Sequence, residues 1–475
     1  MTFFYAKNLR RTTKGSWVRP LIAPLDVDGV GIDSRADLTG KAFIAIHGEH
    51  HDGHDYLAEA IHAGAQLFIV DREPSQETLP PDTAVLRVDD TRTALARLAA
   101  AYRRTLINTT VIAITGSAGK TTTKQLIDSV LSTTLRGTAA PKSFNNDIGL
   151  PLTILNAHVD DAYLIVEIGA NRLGEVNTLS AIARPDIAVI TNVGRAHLEG
   201  FGTVENVAKE KAALLDHLQP NGLGIINADA PQLRNYRGRA QSIVWFGLAQ
   251  DADLRLTDRG ACDETWWFEV NEKDRFGLGL PGAHNAVNAL AAVAVGRRLG
   301  LSDKQIDQGL AQCEPVAMRM TCHKLGGMTI YNDAYNANPD SMIAALDTFA
   351  ELTIDADRRV VILGDMLELG AQAEALHVEI GRSVIDLDRR APIAHAVLIG
   401  SLSCATARVL TQAWGADRVT HMDELNEQTA AFAARHVQPG DRVLLKGSRS
   451  MGLERMLDAL AGAPTVTQSV VAATP

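Results

Sequence analysis

Apolar residues along this chain fall into short runs, and segments of helical period separate these runs. Four runs in the middle of the chain are apolar on both faces, as the buried strands of a parallel sheet are. They span residues 109–114, 162–166, 187–191 and 224–227. Because helical segments lie between them, the pattern predicts a doubly wound parallel sheet.

The same pattern recurs on either side of this central block. Before it, short strand-like runs at 42–46, 67–70 and 84–88 alternate with helical text at 55–64 and 91–102. After it, four further runs are predicted as strands, at 328–332, 360–364, 396–400 and 442–446. We therefore expect an α/β protein of three domains, comprising residues 1–107, 108–318 and 319–475. The small polar residues of the tail, 462–475, predict disorder.

Composition narrows the class of protein. The 475 residues carry 46 basic and 56 acidic side chains, a formal charge of -10 that argues against nucleic acid as a partner. No stretch approaches the roughly 18 apolar residues of a membrane helix, and the N-terminus lacks a signal-peptide core. The four cysteines form no CxxC pair, so neither a disulfide framework nor a thiolate zinc site is indicated. We expect a cytoplasmic protein, with a monomer as the default.

A glycine turn follows the first central strand, in the sequence TGSAGKTTT. A strand, a glycine turn and a helix start present backbone N–H groups and a helix dipole to one point, which suits a phosphate. Lys120 would reach the β- and γ-phosphates and Thr121 would bind Mg²⁺. The complete P-loop pattern has glycine at position 114, where this chain has isoleucine, so an ordinary strand-to-helix turn is the alternative. The candidate nucleotide-binding residues here are Thr115, Gly116, Ser117, Gly119, Lys120, Thr121 and Thr122.

The shortened pattern TGxxGKT resembles the ATP-binding turn of the Mur ligase family and of the related folylpolyglutamate synthetases. VEIGA at 166–170 and NVGRAHLE at 192–199 match the same family in the same order. The resemblance implies a central P-loop mononucleotide-binding parallel sheet and a C-terminal Rossmann-like α/β domain. It also implies ATP and two Mg²⁺ ions as cofactors.

The metal ligands that the resemblance implies are Thr121, Glu167, His197 and a carbamylated Lys211. Carboxylates and water are the usual shell of Mg²⁺, so residue type alone favours a structural role for His197. Lys209 and Lys211 lie on one helix, and for either lysine the alternative is a solvated helix face. Alignment with the apolar pair that follows favours Lys211.

A helix resembling the family's GxHNxxNxxAA segment begins near residue 281. Asn285 and Asn288 lie three positions apart, on one side of this helix, where the resemblance places them near the adenine. A helix cap by Asn285 is the alternative. Arg319 follows in a predicted hinge and resembles the arginine that reaches the γ-phosphate when the third domain closes.

Three stretches of the third block, YNDAYNANPDSM, LGDMLELG and KGSRSMGLE, also match the family in order. The resemblance implies that Asp333, Tyr335 and Asn336 bind the nucleotide. Asn332 stands where an acid is more common, and the composition of residues 336–339 is also that of a simple turn. The candidate substrate-binding residues here are Asn338, Lys446, Ser448 and Arg449.

The first block resembles the family's UDP-sugar-binding domain. Its candidate residues are Asp33, Ser34, Arg35, Gly48, Asp52 and His54. Four histidines lie within eight residues there, yet no two have a clean ligand spacing, so a metal is not the favoured interpretation. Asn145 and Asn146 resemble a loop over the sugar and peptide, where Asp147 replaces a more common glutamate.

The resemblance implies an ATP-dependent ligase that joins UDP-N-acetylmuramoyl-tripeptide to D-alanyl-D-alanine through an acyl phosphate, with Lys120, Glu167, His197, Lys211, Arg319 and Asp333 as the catalytic set. Such a ligase serves peptidoglycan synthesis and hence cell shape and division. A folylpolyglutamate or polyamino-acid synthetase of the same build is the alternative enzyme. A nucleotide-driven scaffold or motor is the alternative of another class, against which the third-block motifs argue.

Overall fold

The structure is a computed structural model that describes residues 3–19, 27–48, 51–75, 79–81, 83–262 and 265–462. Residues 463–475 of the predicted disordered tail lie outside this part of the chain. Three β-sheets follow one another along the sequence, with helices packed against each. Within the described residues, no helix is long and apolar enough to cross a membrane.

The first sheet has five strands in the order β1-β5-β4-β3-β2, with β1 antiparallel to β5 and the other pairs parallel. The predicted helical text at 55–64 is a short 3-10 helix, Gly53–Tyr56, followed by a helix. The elements are β1 (Ser16–Arg19), β2 (Val30–Gly31), β3 (Ala42–Ile44), β4 (Leu67–Val70), β5 (Ala84–Arg87), α1 (Ala6–Thr13), α2 (Leu57–His62) and α3 (Thr91–Arg103).

The central sheet has nine strands. They are β6 (Thr110–Thr115), β7 (Gly137–Ala139), β8 (Tyr163–Glu167), β9 (Ile187–Ile190), β10 (Leu223–Asn227), β11 (Ser242–Gly247), β12 (Leu254–Cys262), β13 (Thr265–Val270) and β14 (Asp274–Leu278). The helices are α4 (Lys120–Leu131), α5 (Gly149–Leu155), α6 (Glu175–Ala183), α7 (Leu198–Phe201), α8 (Val204–Ala212), α9 (Ala283–Arg298) and α10 (Asp303–Ala311).

The order of this sheet, β14-β13-β12-β11-β10-β9-β6-β8-β7, places β6 between β8 and β9. Strands β7 to β12 pair in parallel, and β13 and β14 add antiparallel at one edge. The chain runs from β6 toward one edge and later crosses to the other side. Ligands of open α/β sheets bind beyond the carboxyl ends of the strands at such a switch point.

The third sheet has the order β15-β16-β20-β17-β18-β19, in which only β15 is antiparallel. Its strands are β15 (Thr321–Leu325), β16 (Met328–Asn332), β17 (Arg359–Gly364), β18 (Ile393–Ile399), β19 (Val419–Met422) and β20 (Arg442–Lys446). The helices are α11 (Pro339–Leu352), α12 (Ala373–Arg390), α13 (Cys404–Trp414), α14 (Glu427–Ala434) and α15 (Met456–Ala461).

One apolar cluster joins the three units. It contains Leu86 from the first sheet, Val166 from the central sheet and Leu444 from the third. Burial of apolar side chains in one continuous cluster is the main force that would hold three such units together.

Candidate active site

A cavity of about 1440 Å³ opens beyond the carboxyl ends of the central strands and is bounded on the other side by loops of the third sheet. Backbone amides, amide side chains and cations lie along its wall among apolar residues. The predicted site residues that line it are Ser117, Gly119, Lys120, Thr121, Thr122, Asn145, Asn146, His197, Asn285, Asn288, Arg319, Asp333, Tyr335, Asn336, Asn338, Lys446, Ser448 and Arg449.

The glycine turn after β6 lies directly against helix α9. Gly119 is left-handed, with φ 79°, and ends the turn where α4 begins. A Cβ atom on Gly119 would lie 2.7 Å from Oδ1 of Asn288, so only glycine allows this approach. Lys120 Nζ donates to the carbonyl of Gly116 at 2.6 Å, and burial lowers the pKa of Lys120 to about 8. The turn therefore exposes its backbone amides and one cation to the cavity.

Residues that follow β9 support this turn from below. Ala118 N donates to Oδ1 of Asn192 at 2.8 Å, and the Thr191 hydroxyl donates to the carbonyl of Ala118 at 2.5 Å. On the opposite side, the Thr115 hydroxyl donates to the carbonyl of Ile168 at 2.8 Å. Thr191 and Asn192 were not among the predicted site residues. Their position at the end of the neighbouring parallel strand is the signal that could have found them.

Glu167 is the last residue of β8 and is fully buried beneath the turn. Its Oε2 accepts from the Thr121 hydroxyl at 3.2 Å, and its Oε1 lies 2.9 Å from Nζ of Lys124. Arg319 Nη2 donates to the Thr121 hydroxyl at 3.0 Å. The Thr121 hydroxyl thus connects a carboxylate of the central sheet to a guanidinium of the hinge.

His197 and Lys211 approach the same aromatic ring. The His197 ring lies edge-on to Phe201, with 6.4 Å between ring centroids, and Lys211 Nζ lies 5.5 Å from the Phe201 centroid. His197 Nδ1 also pairs with Glu368 of the third sheet's loops. Burial lowers the pKa of Lys211 to about 7, whereas Lys209 on the same helix is exposed.

The third sheet brings Arg319, Asp333 and Lys446 to the cavity. Arg319 stands between two left-handed residues, Met318 and Met320, and its guanidinium lies 4.4 Å from the centroid of the Tyr335 ring. Lys446 Nζ lies 2.6 Å from Oδ2 of Asp333 and donates to the carbonyl of Asn336 at 3.0 Å. Because β16 and β20 are neighbours, the residues at their ends meet at one point.

Several predicted amides and hydroxyls also have local partners. Asn285 Nδ2 donates to the carbonyl of Pro281 at 2.7 Å, and Gly282 rather than Asn285 occupies the N-cap of α9. Asn338 is the N-cap of α11 and accepts from Ser341 N at 2.9 Å. Ser448 Oγ accepts from Leu367 N at 2.9 Å. These bonds set the shape of the cavity wall.

Models of protein families match three consecutive parts of the chain. The Mur ligase family catalytic domain matches residues 26–103, the Mur ligase middle domain matches 114–296, and the Mur ligase glutamate ligase domain matches 318–449. A curated protein from Bacillus subtilis (strain 168) is 36% identical over 461 residues, which are 96% of this chain and 98% of that protein. This chain belongs to the Mur ligase family. The Bacillus protein is named UDP-N-acetylmuramoyl-tripeptide--D-alanyl-D-alanine ligase.

Solved structures give the same result for this Mur ligase. The crystal structure of MurF from Acinetobacter baumannii has a TM-score of 0.82 at 30% identity and covers 96% of this chain and 98% of that one. MurF ligase from Thermotoga maritima, solved in complex with ADP, has a TM-score of 0.76 at 29% identity and covers 91% of this chain and 97% of that one. The three-domain α/β fold predicted from the sequence is confirmed.

Ten predicted residues of this Mur ligase do not line the cavity. Glu167, Lys211, Thr115 and Gly116 are buried in the central domain and do not line the cavity. The candidates of the first sheet lie apart from the cavity and partner one another. Asp33 forms an ion pair with Arg35 at 2.8 Å, and Oδ1 of Asp52 lies 2.7 Å from Nδ1 of His54. Ser34 and Gly48 belong to the same two loops.

The histidine-rich loop of the Mur ligase shows no metal arrangement in the part of the chain that the structure describes. No group of three or more His, Cys, Asp or Glu side chains is placed there, or elsewhere among these residues, to hold an ion. Instead, Asp52 receives an ion pair from Arg72 at 2.6 Å and His54 Nε2 lies 3.2 Å from Asp71.

Arg92 on α3 lines the cavity and was not predicted from the sequence. Its Nη1 lies 2.9 Å from Oδ2 of Asp147, and its Nη2 donates to the carbonyl of His47 at 3.0 Å. It therefore ties the first sheet's loop to the loop that carries Asn145. Asp147 is 55 positions away from Arg92 in the sequence and His47 is 45 positions away, so no local pattern could reveal these contacts.

Proposed function

We propose that this Mur ligase joins D-alanyl-D-alanine to UDP-N-acetylmuramoyl-tripeptide, converting ATP to ADP and phosphate, as a step of peptidoglycan precursor synthesis. The observation that carries the proposal is that the P-loop, Arg319 and the Asp333–Lys446 pair line one cavity. The Bacillus subtilis relative, which is named for this reaction and matches 96% of the chain, supports the substrate assignment.

ATP fits the wall of the cavity on the P-loop side. The turn offers the backbone amides of Gly119 to Thr122 at the start of α4, and the absence of a side chain at Gly119 leaves the loop in contact with Asn288. Lys120 holds the carbonyl of Gly116 and would exchange this acceptor for phosphate oxygens. We assign the adenine and ribose to the side formed by Asn285, Asn288, Asp333, Tyr335 and Asn336.

Magnesium fits the donors below the turn. The Thr121 hydroxyl and a Glu167 carboxylate oxygen already lie 3.2 Å apart, and His197, like Thr121, lines the cavity. Two ions held by these groups and by Lys211 would supply positive charge beside the transferring phosphoryl group.

Lys211 has the protonation behaviour that carbamylation needs. Carbon dioxide reacts with a neutral amine: an N–C bond forms and a proton leaves, which turns a cation into an anionic oxygen ligand. Burial lowers the pKa of Lys211 to about 7, so a large share of the amine is neutral at physiological pH. We assign the carbamate to this lysine because Lys209 is exposed on the same helix.

The reaction follows from the poor reactivity of a carboxylate toward amines. The terminal carboxylate of the tripeptide attacks the γ-phosphorus of ATP, which gives an acyl phosphate and releases ADP. The amine of D-alanyl-D-alanine then attacks the acyl carbon and gives up one proton, a peptide bond forms, and phosphate leaves with the electron pair of the broken C–O bond. Lys120 and Arg319 stabilise the charge that develops on the phosphoryl oxygens. The third domain covers the cavity and limits hydrolysis of the acyl phosphate.

We divide the chain into three domains, residues 1–107, 108–318 and 319–475, and assign a different part of the substrates to each. The first part holds the UDP-sugar through Asp33, Ser34, Arg35, Gly48, Asp52 and His54. Asn145 and Asn146 face the sugar and peptide. The incoming dipeptide meets Asn338, Lys446, Ser448 and Arg449. We expect a monomer that works in the cytoplasm, where ATP is supplied.

Phosphate release from ATP tests the proposed function. Purified protein with Mg²⁺ should release phosphate only when both UDP-N-acetylmuramoyl-tripeptide and D-alanyl-D-alanine are present, with one dipeptide added per phosphate by mass spectrometry. Phosphate release that is indifferent to both compounds would reject the substrate assignment and leave the nucleotide site standing.

A further inference from the structure

Lys124 is a buried lysine of α4, one helical turn after Lys120, and the mechanism above gives it no role. Its ammonium has three N–H donors and three oxygen neighbours. It donates to the carbonyl of Ala140 at 2.6 Å and to the carbonyl of Lys142, and it lies 2.9 Å from Oε1 of Glu167. The two carbonyls accept hydrogen bonds from Lys124, whereas Glu167 is its ion-pair partner, because Glu167 Oε1 accepts no hydrogen bond from any described residue.

Two of these neighbours belong to the loop between β7 and α5. The same loop carries Asn145 and Asn146, which line the cavity. Lys142 is left-handed, with φ 49°, an uncommon conformation for a residue other than glycine. The Ser143 hydroxyl adds a second link to α4, at 3.2 Å from the Thr121 hydroxyl. The loop is therefore fastened to the P-loop helix mainly through Lys124.

The third neighbour is the fully buried carboxylate of Glu167. Its two oxygens have different partners, because Oε1 faces Lys124 and Oε2 faces the Thr121 hydroxyl. A buried carboxylate without a cation is strongly disfavoured. A cation beside Oε1 and a hydrogen bond to Oε2 together restrain the orientation of the group. Lys124 thus leaves Oε2 directed toward the position that we assign to magnesium.

We propose that Lys124 is a positioning residue that fixes the Glu167 carboxylate and the loop of Asn145 and Asn146 with one ammonium. The proposal rests on the proposed function, because it assigns this loop to the UDP-linked substrate. Lys124 acts through Glu167 and the loop, while Lys120 faces the phosphates. Magnesium binding and binding of the UDP-linked substrate are thereby coupled through a group that contacts neither.

The test compares Lys124→Met with the unmodified protein in three measurements. These are the KM for UDP-N-acetylmuramoyl-tripeptide, the Mg²⁺ concentration at half-maximal ADP binding by titration calorimetry, and the Kd of ADP in EDTA. We expect the first two to rise by roughly ten- to a hundredfold, as for the loss of an outer-shell partner. The Kd of ADP without metal should stay unchanged, because the P-loop amides and Lys120 remain.

Lys142→Met is the matched control, since its side chain is exposed and only its carbonyl meets Lys124. This variant should leave all three quantities unchanged. Ser143→Ala keeps the buried charge and removes the second link, so it should raise the KM for the UDP-linked substrate even if Lys124→Met fails to fold.

Two results would overturn the proposal. One is a Lys124→Met protein whose KM and Mg²⁺ requirement are unchanged while only its thermal stability falls. The other is an equal loss of ADP affinity with and without metal. The calorimetric readouts use no peptide substrate, so they stand apart from failure of the proposed function, which would show as inactivity of the unmodified protein with both substrates.

Discussion

Arg195 of the central domain forms an ion pair with Asp340 of the third domain. Its Nε and Nη2 donate to Oδ1 of Asp340 at 3.0 and 2.8 Å, and its backbone N donates to Oδ2 at 2.8 Å. Its Nη1 reaches Glu379 at 2.6 Å. Two residues later, His197 pairs with Glu368, whose carbonyl accepts from Glu199 N at 3.0 Å. The segment that carries the candidate metal histidine is therefore held by the third domain.

Arg195→Ala should shift the third domain toward an open position. The variant loses two partly exposed ion pairs, with Asp340 and Glu379. Each is worth up to about 1 kcal/mol, or roughly fivefold in the equilibrium between open and closed forms. Small-angle scattering should show a larger radius of gyration, and the KM for D-alanyl-D-alanine should rise. Arg239→Ala, which removes an ion pair with Asp216 inside the central domain, is the control and should change neither. An unchanged radius of gyration would contradict the role of Arg195.

Lys120→Ala should abolish turnover without unfolding the protein. The side chain holds one carbonyl of the turn and is otherwise free to meet phosphate, so its removal should lower kcat by about 10²- to 10³-fold or more. The rate of phosphate release and the far-ultraviolet circular dichroism check the two halves of this prediction. Retained turnover would contradict the assignment of the phosphate-binding site to the P-loop.

Lys211→Ala should lower activity by about 10- to 100-fold, and added bicarbonate should not restore it. The unmodified protein, in contrast, should lose activity in buffer freed of carbon dioxide and regain it with bicarbonate. Lys209→Ala is the control, because this lysine is exposed on the same helix and should respond like the unmodified protein. Full activity of Lys211→Ala would refute the carbamate.

Lys211 should also leave a signature in the pH dependence of stability. Its pKa is lowered by burial to about 7 in the folded protein, against about 10.4 when unfolded. Between these values the unfolded chain binds the extra proton, so the contribution of Lys211 to the free energy of unfolding rises with pH. Below about pH 7 both states hold the proton and the penalty of burying the cation is complete.

Denaturant unfolding of the protein and of Lys211→Met, in buffer freed of carbon dioxide, measures this contribution. The lysine form should be the less stable at pH 7, and the gap should close as the pH rises toward 9. Lys120 is present in both proteins, and because its charge also lowers the pKa of Lys211, the difference includes the repulsion between the two lysines. A gap that does not change with pH would contradict the lowered pKa of Lys211.

The features that could be predicted from the sequence are local ones. Buried parallel strands such as β6 are apolar on both faces, and the turn from Gly116 to Lys120 has a short pattern with a direct physical reason. Strands β12 to β14 were not predicted, because they alternate between buried and exposed positions at a sheet edge and include a bulge. Such strands give a weak pattern that resembles a loop.

Most of the contacts that hold the site residues in place could not be predicted from the sequence. Lys124 and Arg92 meet partners that are distant in the sequence, and nothing in their neighbourhood distinguishes them from solvated helix residues. His197 and Lys211 were named through the family resemblance alone, since residue type favoured structural or surface roles. The structure places both beside Phe201, and the burial of Lys211 gives a physical reason for the carbamylation that we propose.

The most direct measurement follows one oxygen atom. UDP-N-acetylmuramoyl-tripeptide labelled with ¹⁸O in its terminal carboxylate is incubated with the protein, Mg²⁺, ATP and D-alanyl-D-alanine, and the phosphate is examined by mass spectrometry. An acyl phosphate between this carboxylate and the γ-phosphoryl group predicts that one carboxylate oxygen leaves in the phosphate. Unlabelled phosphate released together with ligated product would contradict this account.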